Sequence, residues 1–250
     1  MKRADFYLST IDLKAYGIAA EHGFGVEIAE YCTAWNMDDE FVPTDASVRS
    51  KMSGIKNCTF HAPFNELFPC AIDRKAQELA DFRYRQAISL AREYGAKKVV
   101  IHGGYNPWIY YPVWYVEKSI LFWKAFLEKD PGVEIVLENV LETEPEMLLD
   151  IVKGVDDPRL KICLDTGHIN AYSKIPVEDW LEKCAPCIGH FHVHNNDGSQ
   201  DSHSALDSGS ISMKRFLECA GESCPGATFA LELIDAASSV QWLIKEKVIE

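Results

Sequence analysis

The feature that most limits how this chain can fold is a series of short, β-branched apolar runs separated by longer amphipathic stretches. Eight runs occur in 250 residues, about 31 residues per repeat, which suits repeated strand–helix units. Runs such as KKVVI and EIVL are continuously apolar, as parallel strands buried on both faces are. The runs are DFYLST from Asp5, FGVEIA from Phe24, NCTFHAPF from Asn57, KKVVIHGG from Lys97, VEIVLENV from Val133, LKICLDTGH from Leu160, IGHFHVHNND from Ile188 and ATFALELI from Ala227.

The stretches between the runs have helical periodicity. RKAQELADFRYRQAISLAREYG, from Arg74, repeats apolar residues at intervals of three and four and ends in Gly95, a residue that commonly stops helices. The predicted fold is therefore α/β, a (β/α)8 TIM barrel that forms a single domain over residues 1–250. A doubly wound open sheet is the competing architecture. It would usually place a glycine-rich phosphate loop after an early strand, whereas the G-x-G of Gly23–Gly25 precedes one.

Charge and cysteine content restrict the classes of partner and compartment. The net charge of −13 opposes binding to nucleic acid and to anionic membrane surfaces. No apolar run reaches the roughly 20 residues that span a bilayer, and the start MKRADFYLSTIDLKAYG lacks the apolar core of an export signal. We therefore expect a cytoplasmic protein with reduced thiols. A structural zinc site or redox pair at Cys184-x-x-Cys187, with Cys219 and Cys224, is the alternative to buried thiols, which we prefer.

Ionisable side chains follow six consecutive predicted strands, where a barrel places its catalytic residues. One strand-end histidine or glutamate is usually structural or solvated, but six in succession are hard to explain in that way. Gathering so many carboxylates at one mouth would be unfavourable unless cations neutralised them, so the sequence predicts a metal site. In chain order these residues are His61, His102, Glu138 with Asn139, Asp165 with His168, His192 and His194, Asp201 and His203, and Glu232.

The order of FHAPF, VVIHGG, LENV, CLDTGH, HFHVHNNDGSQDSH and ALELI resembles the xylose isomerase-like TIM barrel superfamily over nearly the whole chain. That superfamily includes sugar isomerases, ketose 3-epimerases, inosose dehydratases and AP endonucleases of the endonuclease IV type. The resemblance to its one-metal sugar enzymes implies Glu138, Asp165, His192 and Glu232 as metal ligands. The resemblance to its three-zinc endonucleases implies further ligands at His61, His102, His168, Asp201 and His203. In a sugar enzyme these extra side chains would instead bind substrate hydroxyl groups.

Three histidines compete for one ligand position. His190, His192 and His194 alternate along a predicted strand, so all three can point into the barrel. The residues after His192 fit the family pattern best, and we choose it as the ligand. His194 is then a substrate contact or the alternative ligand, and His190 lies deeper, hydrogen-bonded in the core.

Three carboxylates and one imidazole form an oxygen-rich site that suits Mn²⁺, Mg²⁺ or Co²⁺, whereas a site with more histidines and more than one metal favours Zn²⁺. The predicted function is a metal-dependent isomerase or epimerase of a small sugar or polyol carbonyl compound, with Glu138 and Glu232 moving a proton through an enediolate. The alternatives are a zinc phosphoesterase of the AP endonuclease type, an inosose-type dehydratase and a non-catalytic sugar-binding module. The oligomeric state stays open.

Surface segments bear on the choice of substrate. EYCTAWNMDDEFVPTDA carries Asp38, Asp39, Glu40 and Asp45 with no basic residue before Arg49, which would repel the phosphates of DNA. YNPWIYYPVWY, with Trp108 and Trp114, is either a lid over a sugar or the start of a packed helix. The pairs Arg74–Lys75 and Lys214–Arg215 are phosphate contacts or, more commonly, solvated helix surface.

Overall fold

Eight parallel strands close into one barrel in sequence order, β1 pairing with β8, in a computed structural model that describes all residues 1–250. The predicted (β/α)8 fold is therefore confirmed, and each of the eight apolar runs contains one strand. The strands are β1 Phe6–Ser9, β2 Gly25–Ile28, β3 Cys58–His61, β4 Lys98–His102, β5 Glu134–Glu138, β6 Leu160–Asp165, β7 Ile188–Val193 and β8 Thr228–Leu231.

Helices cover the outside of the barrel and bury its main hydrophobic core between themselves and the strands. Asp73 caps the longest of them by accepting a hydrogen bond from Lys75 N, and Gly95 follows its end with φ +77°, as its sequence predicts. None of these helices is both long and apolar enough to cross a membrane. The helices are α1 Ala15–His22, α2 Ala34–Met37, α3 Phe41–Lys51, α4 Arg74–Glu93, α5 Pro112–Leu127, α6 Pro145–Val155, α7 Thr166–Tyr172, α8 Val177–Cys184, α9 Met213–Ser223 and α10 Ala237–Lys245.

The barrel interior is layered, because alternate residues of each strand point inward. At the amino ends of the strands, Glu134 forms ion pairs with Lys98 at 3.5 Å and Lys161 at 2.6 Å. Above this charged layer lies a small separate apolar cluster of Val100, Val136 and Cys163. The next inward-facing residues of the same strands are His102, Glu138 and Asp165. The ionisable side chains of this layer therefore lie at the carboxyl ends.

The cysteines are consistent with the preferred interpretation as thiols. All eight are free, and Cys184 and Cys224 are buried with Sγ against the carbonyl oxygens of Pro145 and Ala185. Burial raises the pKa of the Cys184 thiol to about 12 and that of Cys224 to about 11, so both stay protonated at neutral pH.

Candidate metal centre at the mouth of the barrel

Six of the eight histidines gather at the carboxyl end of the barrel, together with four of the predicted acidic side chains, and His190 lies one layer below them beside Cys163. The predicted residues therefore converge, although they come from six different strands and the loops that follow them. Glu138, Asp165, His192 and His194 are fully or almost fully buried. His102, Asp201 and His203 are partly exposed at the rim, with side-chain exposures of 20%, 17% and 23%.

The central group consists of Glu138, Asp165, His192 and Glu232, which each offer one ligand atom within 4.8 Å of all the others. His192 Nδ1 lies 3.3 Å from a Glu138 oxygen, 3.7 Å from Asp165 and 3.1 Å from Glu232. The two glutamates, which come from β5 and the residue after β8, therefore each bring an oxygen to the same nitrogen of His192. This is the arrangement that a shared cation requires, since isolated carboxylates at this spacing repel one another.

Two further groups flank the central one. His61 and His102 approach Glu138 Oε2 at 3.3 and 3.5 Å on one side and form a second potential ligand set with it. On the other side, His194, Asp201 and His203 form a third set.

The third set is linked to the centre through two histidines. His168 Nε2 lies 3.3 Å from Asp201 Oδ2, and its Nδ1 lies 3.3 Å from Glu138 Oε1. His194 Nε2 lies 3.1 Å from both Asp165 oxygens but 3.7 Å from Asp201. The distances thus place His192 among the central carboxylates, and His194 is the member of the third set that contacts the centre, while the roles of both remain predictions.

The motifs L-E-N and D-T-G-H build the floor of the site by hydrogen bonds between neighbouring strands. Asn139 donates to the carbonyl of Asp165 at 3.1 Å and accepts from its amide at 2.9 Å. Asp165 also caps α7 by accepting from His168 N at 2.7 Å, and Thr166 Oγ1 donates to His194 O at 2.9 Å. Because the backbones of β5, β6 and β7 are tied together at their ends, their ionisable side chains are held at fixed spacing.

The glycine of D-T-G-H is required by the position of His194. A Cβ on Gly167 would lie 1.9 Å from Cε1 of that ring. We expect Gly167→Ala to lower the free energy of unfolding by about 1–3 kcal/mol, the usual cost of overpacking. The measurement is chemical denaturation, with Gly17→Ala as control, because a Cβ on that helical glycine meets nothing within 4 Å. A His194→Ala background should relieve most of the cost, and equal costs in both backgrounds would contradict the clash.

Neighbouring histidines keep Glu138 and Glu232 ionised despite burial. Burial raises the pKa of Glu138, but neighbouring histidines, His192 first among them, lower it well below its usual range. Burial likewise raises the pKa of Glu232, and His192 outweighs this to lower it to about 2. Burial lowers the pKa of His102 to about 4, so that ring is neutral and can act as a ligand or a hydrogen-bond partner.

Several buried polar atoms of the cluster lack an aligned hydrogen-bond partner. Whether a cation fits the site can be judged from these atoms. Buried polar atoms are nearly always paired, so a concentration of unpaired ones at one point indicates a missing binding partner. The donor set of carboxylate oxygens and imidazole nitrogens is the one divalent metals take in proteins. The residues therefore fit a metal; the unpaired atoms on the ligand side of His192 are its Nδ1, Asp201 Oδ1 and Glu232 Oε2.

Sequence reasoning missed Glu27, which is fully buried near the end of β2 and contacts both His190 and His192. The run FGVEIA contained the signal, a carboxylate in the middle of an otherwise apolar strand. His190, predicted to lie deeper than the ligand, is fully buried and its Nδ1 lies 2.6 Å from Thr228 Oγ1.

The predicted acidic loop is only partly a loop. Residues 34–37 and 41–51 are helical, and two of its four acidic side chains are paired. Asp38 accepts a hydrogen bond from Arg83 at 2.7 Å, and Asp45 accepts one from Arg49 at 2.8 Å. The repulsion expected of this segment is therefore weaker than its sequence suggests.

Of the other surface predictions, Trp114 and the basic pairs have structural contacts, and a lid formed by Trp108 stays a prediction. Trp114 lies in α5 and donates to Cys70 O at 2.9 Å, whereas Trp108 is 83% exposed in the loop before that helix. Lys75 pairs with Glu78 and Lys214 with Glu246 on helix surfaces.

A surface cavity of about 600 Å³ lies between α4 and α5, lined by Trp114, Lys118 and Phe122 among others. None of the ionisable cluster lines it, so the chemistry of the side chains rather than cavity size locates the site.

Fold and site together define a (β/α)8 barrel with metal-capable side chains at its carboxyl face. The model of the xylose isomerase-like TIM barrel family matches residues 18–245. The chain therefore belongs to that family, and the resemblance seen in its motifs is confirmed.

The names of individual similar proteins do not point to one reaction. The uncharacterized protein MJ1311 of Methanocaldococcus jannaschii is 32% identical over 76% of this chain and 72% of its own length. A crystal structure of a D-tagatose 3-epimerase-like protein is 27% identical, with a TM-score of 0.79, over 99% of this chain and 97% of that one. A probable endonuclease 4 of Mesomycoplasma hyopneumoniae is 33% identical, but over only 44% of this chain and 40% of its own.

Proposed function

We propose that this protein is a divalent-metal-dependent isomerase or epimerase that acts on a small sugar or polyol carbonyl compound through an enediolate. The observation that carries the proposal is the meeting of two buried, ionised glutamates, Glu138 and Glu232, at one nitrogen of His192. The likeness to a D-tagatose 3-epimerase-like protein along almost the full length of both chains supports the same reaction class.

The proposed ligands of the metal are Glu138, Asp165, His192 and Glu232. When bound there, the metal would polarise the substrate carbonyl and acidify the neighbouring C–H. Glu138 and Glu232 come from different strands and can reach a substrate carbon from different sides. One carboxylate removes the proton and the other returns it, from the opposite face in an epimerisation. In this proposal the flanking histidines His61 and His102 bind substrate hydroxyl groups.

The loops around the mouth favour an uncharged substrate. Between each strand and the next helix, Lys14 is the only lysine or arginine, and it lies 4.0 Å from Asp235. Phosphate groups are usually held by Arg, Lys or a helix N-terminus, so a phosphorylated sugar would find little charge complementarity here. The segments concerned are 10–14, 29–40, 62–73, 103–111, 139–144, 194–212 and 232–236.

We therefore expect a free ketose to be turned over with a kcat/KM at least about tenfold higher than its phosphate ester, because a phosphate dianion beside these carboxylates costs on the order of 1 kcal/mol or more. The measurement compares D-tagatose with D-tagatose 6-phosphate in the presence of Mn²⁺, Mg²⁺ or Co²⁺. A preference for the phosphate ester would contradict this assignment of substrate charge.

The reaction itself is tested by following solvent deuterium at the reacting carbon while a panel of free ketoses and aldoses is incubated with the metal-loaded protein. Label in the product indicates proton transfer through an enediolate. Product without label indicates a hydride shift, in which case the glutamates are ligands only. No conversion of any sugar with any of the three metals would contradict the proposal.

A second candidate is a zinc-dependent phosphoesterase, and one observation favours it: the two flanking ligand sets, which add His61, His102, Asp201 and His203 to the centre. Two or three metals together can generate hydroxide and hold a leaving oxygen. Nicking of a duplex that contains one abasic site, abolished by a chelator, would promote this candidate. The scarcity of lysine and arginine in the loops around the mouth argues against it, since phosphate binding by proteins depends on basic side chains.

A further inference from the structure

Glu27 is a carboxylate held beneath the candidate metal centre, on the side of His192 that faces away from the proposed ligands. It is fully buried, on the strand β2, which contributes none of the predicted ligands. Burying one carboxylate in a protein interior is costly unless it is paired and hydrogen-bonded. A carboxylate buried in the barrel interior therefore needs stabilising partners, and the identity of these partners indicates its role.

The partners of Glu27 come from two other strands. Oε2 accepts a hydrogen bond from Thr59 Oγ1 at 3.0 Å and lies 3.2 Å from His190 Nε2. Oε1 lies 2.9 Å from His192 Nε2, a close contact whose angle departs from that of an aligned hydrogen bond. Thr59 and His190 thus hold one carboxylate oxygen in place, which directs the other at His192.

The same ring presents its other nitrogen to the cluster, since His192 Nδ1 lies within 3.1–3.7 Å of Glu138, Asp165 and Glu232. A neutral imidazole carries its proton on one nitrogen and its lone pair on the other. A carboxylate at Nε2 retains the proton there, which leaves the Nδ1 lone pair free for a metal. Carboxylates in this position orient metal-bound histidines and make them more basic.

We propose that Glu27 is the positioning residue that orients His192 and fixes its tautomer for metal binding through Nδ1. This inference rests on the metal centre of the proposed function, but not on the reaction assigned to it. It adds a residue of β2 to the site and explains why His190, although it shares the inward face of β7, is occupied with Glu27 and Thr228 rather than with the metal.

The test is the Kd for Mn²⁺, Co²⁺ and Zn²⁺ of Glu27→Gln, measured by isothermal titration calorimetry. We expect binding to weaken by about 10–100-fold, the usual effect of removing such a partner, and the visible spectrum of bound Co²⁺ to change. Glu142→Gln is the matched control, because Glu142 is equally buried but is satisfied by Tyr115 and the Val140 amide. A folded Glu27→Gln protein with wild-type metal affinity would overturn the inference.

A second variant covers the case in which Glu27→Gln does not fold. Thr59→Val keeps the volume and removes only the hydrogen bond to Glu27, so metal binding should weaken by roughly 2–5-fold, in line with the loss of one hydrogen bond. Unchanged affinity in Thr59→Val would then overturn the inference. If wild-type protein binds metal but converts no sugar, the proposed reaction fails while the affinity comparison still decides the role of Glu27.

Discussion

Turnover by Glu138→Gln should fall by at least about 10²–10⁴-fold, the range lost with one acid–base group, and its metal affinity should fall as well. Glu138 is the only side chain common to the central group and to the group formed with His61 and His102. The substitution keeps the shape of the side chain but removes its charge and one of its acceptor oxygens. Steady-state kinetics with the substrate found in the sugar panel, together with calorimetric metal titration, measure both effects.

The matched control for this variant is Glu134→Gln, on the same strand at the other end of the barrel. Glu134 pairs with Lys98 and Lys161 and lies away from the mouth. Its replacement should cost stability but leave kcat within a few fold of wild type. A Glu138→Gln protein that keeps turnover within tenfold of wild type would remove Glu138 from both of its proposed roles.

Removing the metal should destabilise the fold, and restoring it should raise Tm by roughly 5–11 °C at a metal concentration 100 times Kd. A ligand bound only to the folded state contributes about 2.7 kcal/mol at that concentration, and each 1 kcal/mol shifts Tm by about 2–4 °C in a chain of this size. The physical cause is the relief of repulsion among Glu138, Asp165 and Glu232, which each offer an oxygen within 4.8 Å of the others. Calorimetric melting with and without a chelator is the measurement.

The number of bound metal ions is measured separately, by elemental analysis of protein purified without added metal. One equivalent of Mn, Mg or Co agrees with the sugar enzyme, whereas two to three of Zn would agree with the hydrolase. Asp165→Asn is the control, because it removes one central ligand and should reduce the thermal shift. No shift with any of the four metals would contradict the metal centre itself.

The barrel and the location of its chemistry could be predicted because both depend on local patterns. Continuous apolar runs such as those around Val100 and Val136 identify strands buried on both faces. Period-two alternation then places Glu138 two residues beyond Val136, on the same inward face and at the end where barrels place chemistry. These conclusions need only distances along one strand, which the chain geometry determines.

Contacts between residues that are distant in the chain could not be predicted from the sequence. The ion pair of Asp38 with Arg83 joins residues 45 positions apart, so the predicted acidic loop could not be recognised as partly neutralised. Glu27 was overlooked for a similar reason, because its meaning depends on His192, which is distant in the chain and adjacent only in the closed barrel.

What the sequence alone determined is therefore the set of ionisable residues at the carboxyl ends of the strands, and what the tertiary structure decided is which of them touch. The pairing of β6 with β7 makes this concrete. Ile162 pairs with Ile188 but Cys163 pairs with His190, so Gly189 is passed over and His192 comes to lie beside Asp165. An irregularity of one residue changes which side chains are neighbours, because side chains alternate with a period of two along each strand. Strand register arises from packing across the whole barrel, and no local pattern in the histidine-rich run records it.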